Sequence, residues 1–148
     1  MIIVELKEKE GITNDPTSIS FRKLLSELRK KVLPLEIIES VNQDIEEVNT
    51  TSFTGTALRK LIRKKQQKIL KLLEKELKIV PKHYYRGYWI IIGMVIGMPF
   101  GIFGLFINAG LLGVGTLVGM LIGSIIGWQM DKKAAKTGRQ LDVVIYLT

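Results

Sequence analysis

One stretch limits what this chain can become. Residues 88–130 read YWIIIGMVIGMPFGIFGLFINAGLLGVGTLVGMLIGSIIGWQM, and from Trp89 to Met130 no Asp, Glu, Lys, Arg or His occurs. Two apolar runs, 88–107 and 111–130, flank the break Asn108-Ala109-Gly110. Twenty residues make a helix of about 30 Å, the hydrocarbon thickness of a bilayer. A chain of 148 residues could hardly bury both runs beside other amphipathic helices. The expected fold is therefore an all-α membrane protein. It has a two-transmembrane-helix hairpin, an N-terminal cytosolic helical domain and short terminal β-strands.

Charge gives the hairpin a direction. Lys82, Arg86, Lys132, Lys133, Lys136 and Arg139 flank its open end, and its tip carries no charge. Cytoplasmic segments next to membrane spans are enriched in Lys and Arg, so both termini are expected in the cytoplasm and the hairpin in the inner membrane. Tyr84, Tyr85, Tyr88, Trp89 and Trp128 lie at the same end, as interface anchors would. The N-terminus lacks the basic segment and apolar core of a signal peptide, so the first run is expected to act as its own insertion signal.

The rest of the chain divides around this hairpin. Residues 1–80 form the expected helical domain, with a strand at 2–7 and helices at 18–33, 34–48 and 56–80. In the strand, Ile2, Val4 and Leu6 alternate against Ile3, Glu5 and Lys7. Thr17, Ser18 or Ser20 can cap the first helix, which has Phe21, Leu24, Leu25, Leu28 and Val32 at helical spacing. Pro34 suits the first turn of the second, where Leu35, Ile38, Val41, Ile45 and Val48 recur every three or four residues. These two helices are expected to pair through facing apolar seams. Residues 81–87 read as a juxtamembrane linker after Pro81, and 131–148 as a cytosolic tail with a strand at 141–147. That strand could pair with the N-terminal one.

The net charge of +8 is blocked along the chain. Residues 36–56 hold Glu36, Glu39, Asp44, Glu46 and Glu47 and no base, whereas 57–86 hold eleven bases and only Glu74 and Glu76. In the 56–80 helix, Lys60, Arg63, Lys64, Lys68, Lys71, Lys75 and Lys78 lie mainly opposite the apolar half. Three uses fit this face: contact with anionic lipid at the inner leaflet, the solvated side of a core helix, or nucleic acid. No aromatic residues interleave the bases for stacking, which argues against nucleic acid.

Glycines mark the hairpin. Gly93, Gly97 and Gly101 follow at four-residue steps in the first run, with Gly104 beyond them. Gly115, Gly119, Gly123 and Gly127 do so in the second. Glycine at i and i+4 strips a helix face so that another backbone can approach, and lipid offers no hydrophobic drive of its own. The seven glycines at four-residue steps, Gly104 apart, are the candidate helix-packing and oligomerisation residues. Thr116 and Ser124 are the candidate pore-lining residues, although backbone bonding one turn back is the simpler reading of both. Without a charge inside the spans, ion-coupled transport is disfavoured. Pro99 should kink the first span.

Enzyme chemistry is not expected. There is no cysteine, His83 is the only histidine, and no phosphate-binding glycine loop follows a strand. No cofactor or metal is expected. The sequon Asn49-Thr50-Thr51 is discounted because its expected side is cytosolic.

The runs GMVIGMPFG and GTLVGMLIGSIIGWQMDKKA resemble the glycine-zipper hairpins of small bacterial membrane proteins, over residues 88–136 only. The resemblance implies a homo-oligomer in an inner membrane, and some members form pores or lytic assemblies. Two functions are carried forward. One is a self-associating hairpin protein that acts as a pore or membrane-disrupting effector under control of its cytosolic domain. The other is a passive anchor that recruits a cytosolic protein partner.

Overall fold

The computed structural model describes residues 2–8, 14–105 and 113–145, with the side chains of 103–105 set aside. Five helices carry the described chain: α1 (Pro16–Arg29), α2 (Leu35–Thr50), α3 (Gly55–Leu77), α4 (Tyr84–Leu105) and α5 (Val114–Lys136). Two short strands, β1 (Val80–Pro81) and β2 (Gln140–Leu141), pair with each other. The chain divides into two units, Met1–Pro81 with Leu141–Thr148, and Lys82–Gln140. The tip Asn108-Ala109-Gly110, the inner ends of both apolar runs and residues 146–148 lie outside the described residues.

In the first unit the core is built on α3. Leu58, Ile62, Ile69 and Leu73 are fully buried among Phe21, Leu24 and Leu28 of α1 and Val41 and Ile45 of α2. Both α1 and α2 make their close backbone approaches to α3. The apolar seams of the first two helices thus both meet on a third helix. The apolar half of α3 is occupied in this way, leaving only its basic face open.

Helix ends explain most differences from the expected bounds. Helix α1 starts earlier because Asp15, rather than Thr17, Ser18 or Ser20, caps it. Its carboxylate accepts the Thr17 N–H at 2.9 Å, and Pro16 needs no N–H partner in the first turn. Arg59 sits 2.7 Å from the same carboxylate. Burial pushes the Asp15 carboxyl up, but the Thr17 hydrogen bonds and the Arg59 and Arg63 charges outweigh it and hold it below its ordinary value. Helix α1 stops at Arg29, which leaves Val32 exposed rather than on the apolar seam. Helix α3 stops at Leu77, before Pro81 can act. Lys78 takes the left-handed conformation (φ 55°), and the Ile79 N–H reaches back to the Leu73 carbonyl at 3.1 Å.

Residues 2–8 form no strand. Ile3 is buried and Leu6 half-buried, while Ile2 and Val4 are exposed. The core-facing residues therefore repeat every three positions, the period of a polyproline II chain, and not every two. That repeat rules out the expected alternation of Ile2, Val4 and Leu6. Arg29 lies against this segment, donating to the carbonyls of Ile3 (3.3 Å) and Val4 (3.2 Å) and pairing with Glu5 at 3.1 Å. At the other end of the chain, among the described residues, only Gln140–Leu141 of the expected strand region is strand, and its partner is β1 rather than the N-terminal segment.

Opposite charges meet between α2 and α3. Lys65, which is buried, donates to Asp44 at 2.9 Å and to Glu47, and Lys68 reaches Asp44 at 2.8 Å. Burial pulls the Lys65 ammonium down, but its bonds to Glu47 and Asp44 outweigh that and hold it above its ordinary value. The acidic block of α2 thus neutralises part of α3, and Lys68 is not free on the basic face.

Candidate functional site

The hairpin is the candidate site, and its two helices are long and apolar enough to cross a membrane. Tyr84–Ile102 supplies 19 residues and Val114–Lys136 supplies 23. At 1.5 Å per residue both reach about the 30 Å of a hydrocarbon layer. The first begins at Tyr84, four residues before the apolar run, so Tyr84 to Gly87 are helix and not linker. The second continues to Lys136.

Glycine sets how closely these helices approach. A Cβ at Gly93 would overlap the carbonyl of Gly119, and one at Gly115 would lie 2.7 Å from the carbonyl oxygen of Gly97 and 3.0 Å from the Cα of Gly101. Gly123 faces the Trp89 carbonyl in the same way. Gly127 lets the Arg86 Cα come within 2.5 Å of where its own Cβ would be. All seven candidate glycines therefore line one seam between two helices of the same chain. The obstructing atoms are backbone, so no side-chain rotation could admit a methyl group. Gly104 has no described side-chain surroundings.

The open end is fastened by an acid. Asp131 is buried, and its two carboxylate oxygens accept the backbone N–H groups of Tyr85 and Arg86, each at 3.1 Å. The first N–H groups of a helix have no partner within the helix, and its N-terminus carries partial positive charge. Asp131 answers both needs from the neighbouring helix. Gly127, one turn before it, provides the approach. This contact explains why α4 starts at Tyr84, which no local pattern announces. The signal available in the sequence is that Asp131 is the sole acid among the bases at the open end.

The expected anchors gather nearby. The Tyr84 and Tyr85 rings pack edge to face with centroids 5.4 Å apart. Trp89 donates its indole N–H to the Met130 sulfur at 2.9 Å. The Lys132 ammonium stands 3.5 Å from the Trp128 ring centroid, in cation–π geometry. Tyr88 and Trp128 are half-exposed, with rings free to reach an interface.

Thr116 and Ser124 are half-buried beside the glycine seam, and Thr116 contributes its Cα to the atoms that crowd Gly97. Neither is on the outermost face of the hairpin. A groove of about 220 Å³ runs along one side of the seam. Gly93, Gly97, Gly115, Gly119 and Gly123 line it together with Trp89, Ile96, Phe100, Val118, Ile122 and Ile126. Beyond it, Ile91, Val95, Leu117, Leu121 and Ile125 are more than half exposed.

The other candidate residues lie on the first unit. Lys60, Arg63, Lys64, Lys68, Lys71 and Lys75 are exposed along α3, and Lys78 is exposed at its C-cap. Lys65 belongs to the same helix, but the structure turns it inward. Among the described residues no group of three His, Cys, Asp or Glu side chains comes together to hold a metal ion. Compared with protein-family models, with curated proteins and with solved structures, the chain matches none.

Proposed function

We propose that this chain is a non-enzymatic, self-associating inner-membrane protein. The hairpin spans the bilayer with both termini in the cytoplasm, and the first unit is the cytosolic domain that meets a protein partner. The observation that carries the membrane reading is exposure. Only 17% of the apolar 18-residue stretch within each candidate span is buried within the chain. A soluble domain does not leave contiguous apolar surface of that extent in water. Lys82, Arg86, Lys132, Lys133, Lys136 and Arg139 at the open end support the orientation. The exposed bases of α3 support contact with anionic lipid, by charge alone because the apolar face of α3 is in the core.

Self-association uses the groove beside the seam. The glycines are already engaged within the hairpin, so a second copy meets the walls formed by Ile96, Phe100, Val118 and Ile122. In an assembly that encloses water, Thr116 and Ser124 are the hydroxyls that α5 can offer to it, which is the pore or membrane-disrupting form of this reading. The mass of the full-length protein in lipid nanodiscs tests the proposal. A defined multimer is expected, weakened by Ile96→Ala with Ile122→Ala. A monomer at every protein density would refute it.

The passive anchor is the second reading. The closed glycine seam favours it, because a hairpin that satisfies its own small-residue faces needs no second copy. Liposomes that remain tight to small ions at high density of the multimer would support anchoring over conduction.

A further inference from the structure

Two asparagines of α2, seven residues apart, hold residues 2–8 by their backbone. Asn42 accepts the Val4 N–H at 2.9 Å and donates to the Ile2 carbonyl at 3.1 Å. Asn49 accepts the Lys7 N–H at 2.9 Å and donates to the Glu5 carbonyl at 3.0 Å. Each side-chain amide thus closes a two-bond ring with a stretch of peptide, as a neighbouring strand would. The repeats agree: seven helical residues rise about 10.5 Å, and three residues of a polyproline II chain advance about 9.3 Å. Asn42 and Asn49 therefore meet equivalent positions of the segment, Ile2 and Val4 for one and Glu5 and Lys7 for the other. The side chains of those four residues play no part in these bonds.

Arg29 adds hydrogen bonds to the carbonyls of Ile3 at 3.3 Å and Val4 at 3.2 Å. Ile3 is the segment's one buried side chain among residues 2–8, with Leu6 half-buried beside the core. Its ion pairs, Glu5 with Arg29 and Glu8 with Arg22, are on acids exposed by 84% and 71%. Seven chain steps separate Glu8 from Asp15, enough to span up to about 25 Å, or about two helix diameters.

We propose that the Asn42/Asn49 face of α2 is a receptor for peptide backbone, and that in the assembled protein it takes residues 2–8 of a second copy. The exchange is reciprocal, each copy giving its own segment and receiving the other's. It rests on the self-association reading above. The occupant is argued from complementarity already present: an identical segment remakes each contact, so exchange forfeits none of them, which makes such swapping a low-cost route to association. A membrane that confines the copies raises their effective concentration at each other's α2.

The chain has no cysteine, so cross-linking positions can be introduced one at a time. Val4 is partly exposed, and Glu46 is exposed between Asn42 and Asn49 on the same helix face. Full-length Val4→Cys with one affinity tag is mixed with full-length Glu46→Cys with another in nanodiscs and treated with a short bis-maleimide. A copy carrying both substitutions, diluted to one per disc, sets the reach of the reagent. The expected result is a cross-link between the two tags that is lost when the Glu46→Cys copy also carries Asn42→Ala and Asn49→Ala. Cross-linking confined to the doubly substituted copy, in discs that still hold multimers, would overturn this proposal and leave self-association standing. Monomers throughout would overturn both.

Discussion

Asp131 and Arg86 stand 45 positions apart in the chain, yet the carboxylate of one accepts the backbone N–H of the other at 3.1 Å. With the matching bond from Tyr85, this joins the last turns of α5 to the first turn of α4. Asp131→Asn retains one acceptor oxygen and loses the charge. Hydrogen exchange at Tyr85 and Arg86 should rise, with a cost of about 1–2 kcal/mol to the hairpin from one lost cap bond. Unchanged protection at both amides would refute the assignment.

The glycines of the hairpin should not behave alike. A methyl group at Gly119 meets the Gly93 carbonyl and the Gly97 Cα, while one at Gly87 meets nothing within 4 Å. Gly119→Ala should destabilise the hairpin by about 1–3 kcal/mol, as overpacking does. Gly87→Ala should be neutral or stabilise α4 by up to about 1 kcal/mol through helix propensity. Thermal melts in one detergent distinguish the two, and equal effects would contradict the seam.

Lys65 gives a test inside the first unit. Lys65→Met strips a buried ammonium from Asp44, which keeps Lys68 at 2.8 Å, and should cost about 1–3 kcal/mol, less than the penalty for orphaning a buried charge. Replacing both Lys65 and Asp44 with apolar residues should cost less, because no buried carboxylate then needs a partner. A double-substituted protein less stable than Lys65→Met in denaturant titration would contradict this account.

The pH dependence has two limbs. Asp15 and Glu27 are held below their ordinary values of 3.8 and 4.5; for Glu27 the hydrogen bond from Lys30 is the main cause. Each contributes stability that is complete above its ordinary value and is lost as the pH falls through the lower folded value. Lys65 is held above its ordinary value of 10.5, so its contribution is complete below that value and is lost as the pH rises through the higher folded one. Melting temperature should therefore decline below about pH 4 and again in strong alkali. Asp15→Asn should blunt the acid limb, and Lys65→Met the alkaline limb.

The segment 2–8 should detach without unfolding the domain. Asn42→Ala with Asn49→Ala removes four hydrogen bonds worth about 1 kcal/mol each at most in net terms. Protection of the Val4 and Lys7 amides should fall, while amides near Ile62 and Leu73 stay protected. Global loss of protection would show that the segment is integral to the core.

Much of this was legible from residue order, for reasons that differ by element. The spans declare themselves because no charge interrupts them, and the four-residue glycine steps indicate a close seam. Those steps do not say whether the partner helix is in the same chain; the antiparallel return of α5 decides that. The helical cores of α1, α2 and α3 follow from apolar spacing. Their arrangement around α3 does not, because seams of similar width can be paired in several ways. Lys65 reads as one more member of a basic run, and only the proximity of Asp44 and Glu47 turns it inward. Asn49 reads as the start of a sequon just past the expected helix, yet it lies in α2. The spacing of seven between Asn42 and Asn49 becomes informative only once a chain segment with a three-residue repeat lies beside them, and that repeat is obscured by the apolar Ile2 and Val4.

The seam between Gly93 and Gly119 also constrains how the hairpin can be repaired. A side chain introduced on one helix is ordinarily accommodated by a smaller residue across the interface. Here the residue opposite is already glycine, and the atom in the way is its carbonyl. A suppressor of Gly119→Ala therefore has no local solution. Revertants should map away from the seam, to residues that let the helix axes part, and a search for second-site rescue would chart which parts of the hairpin can yield.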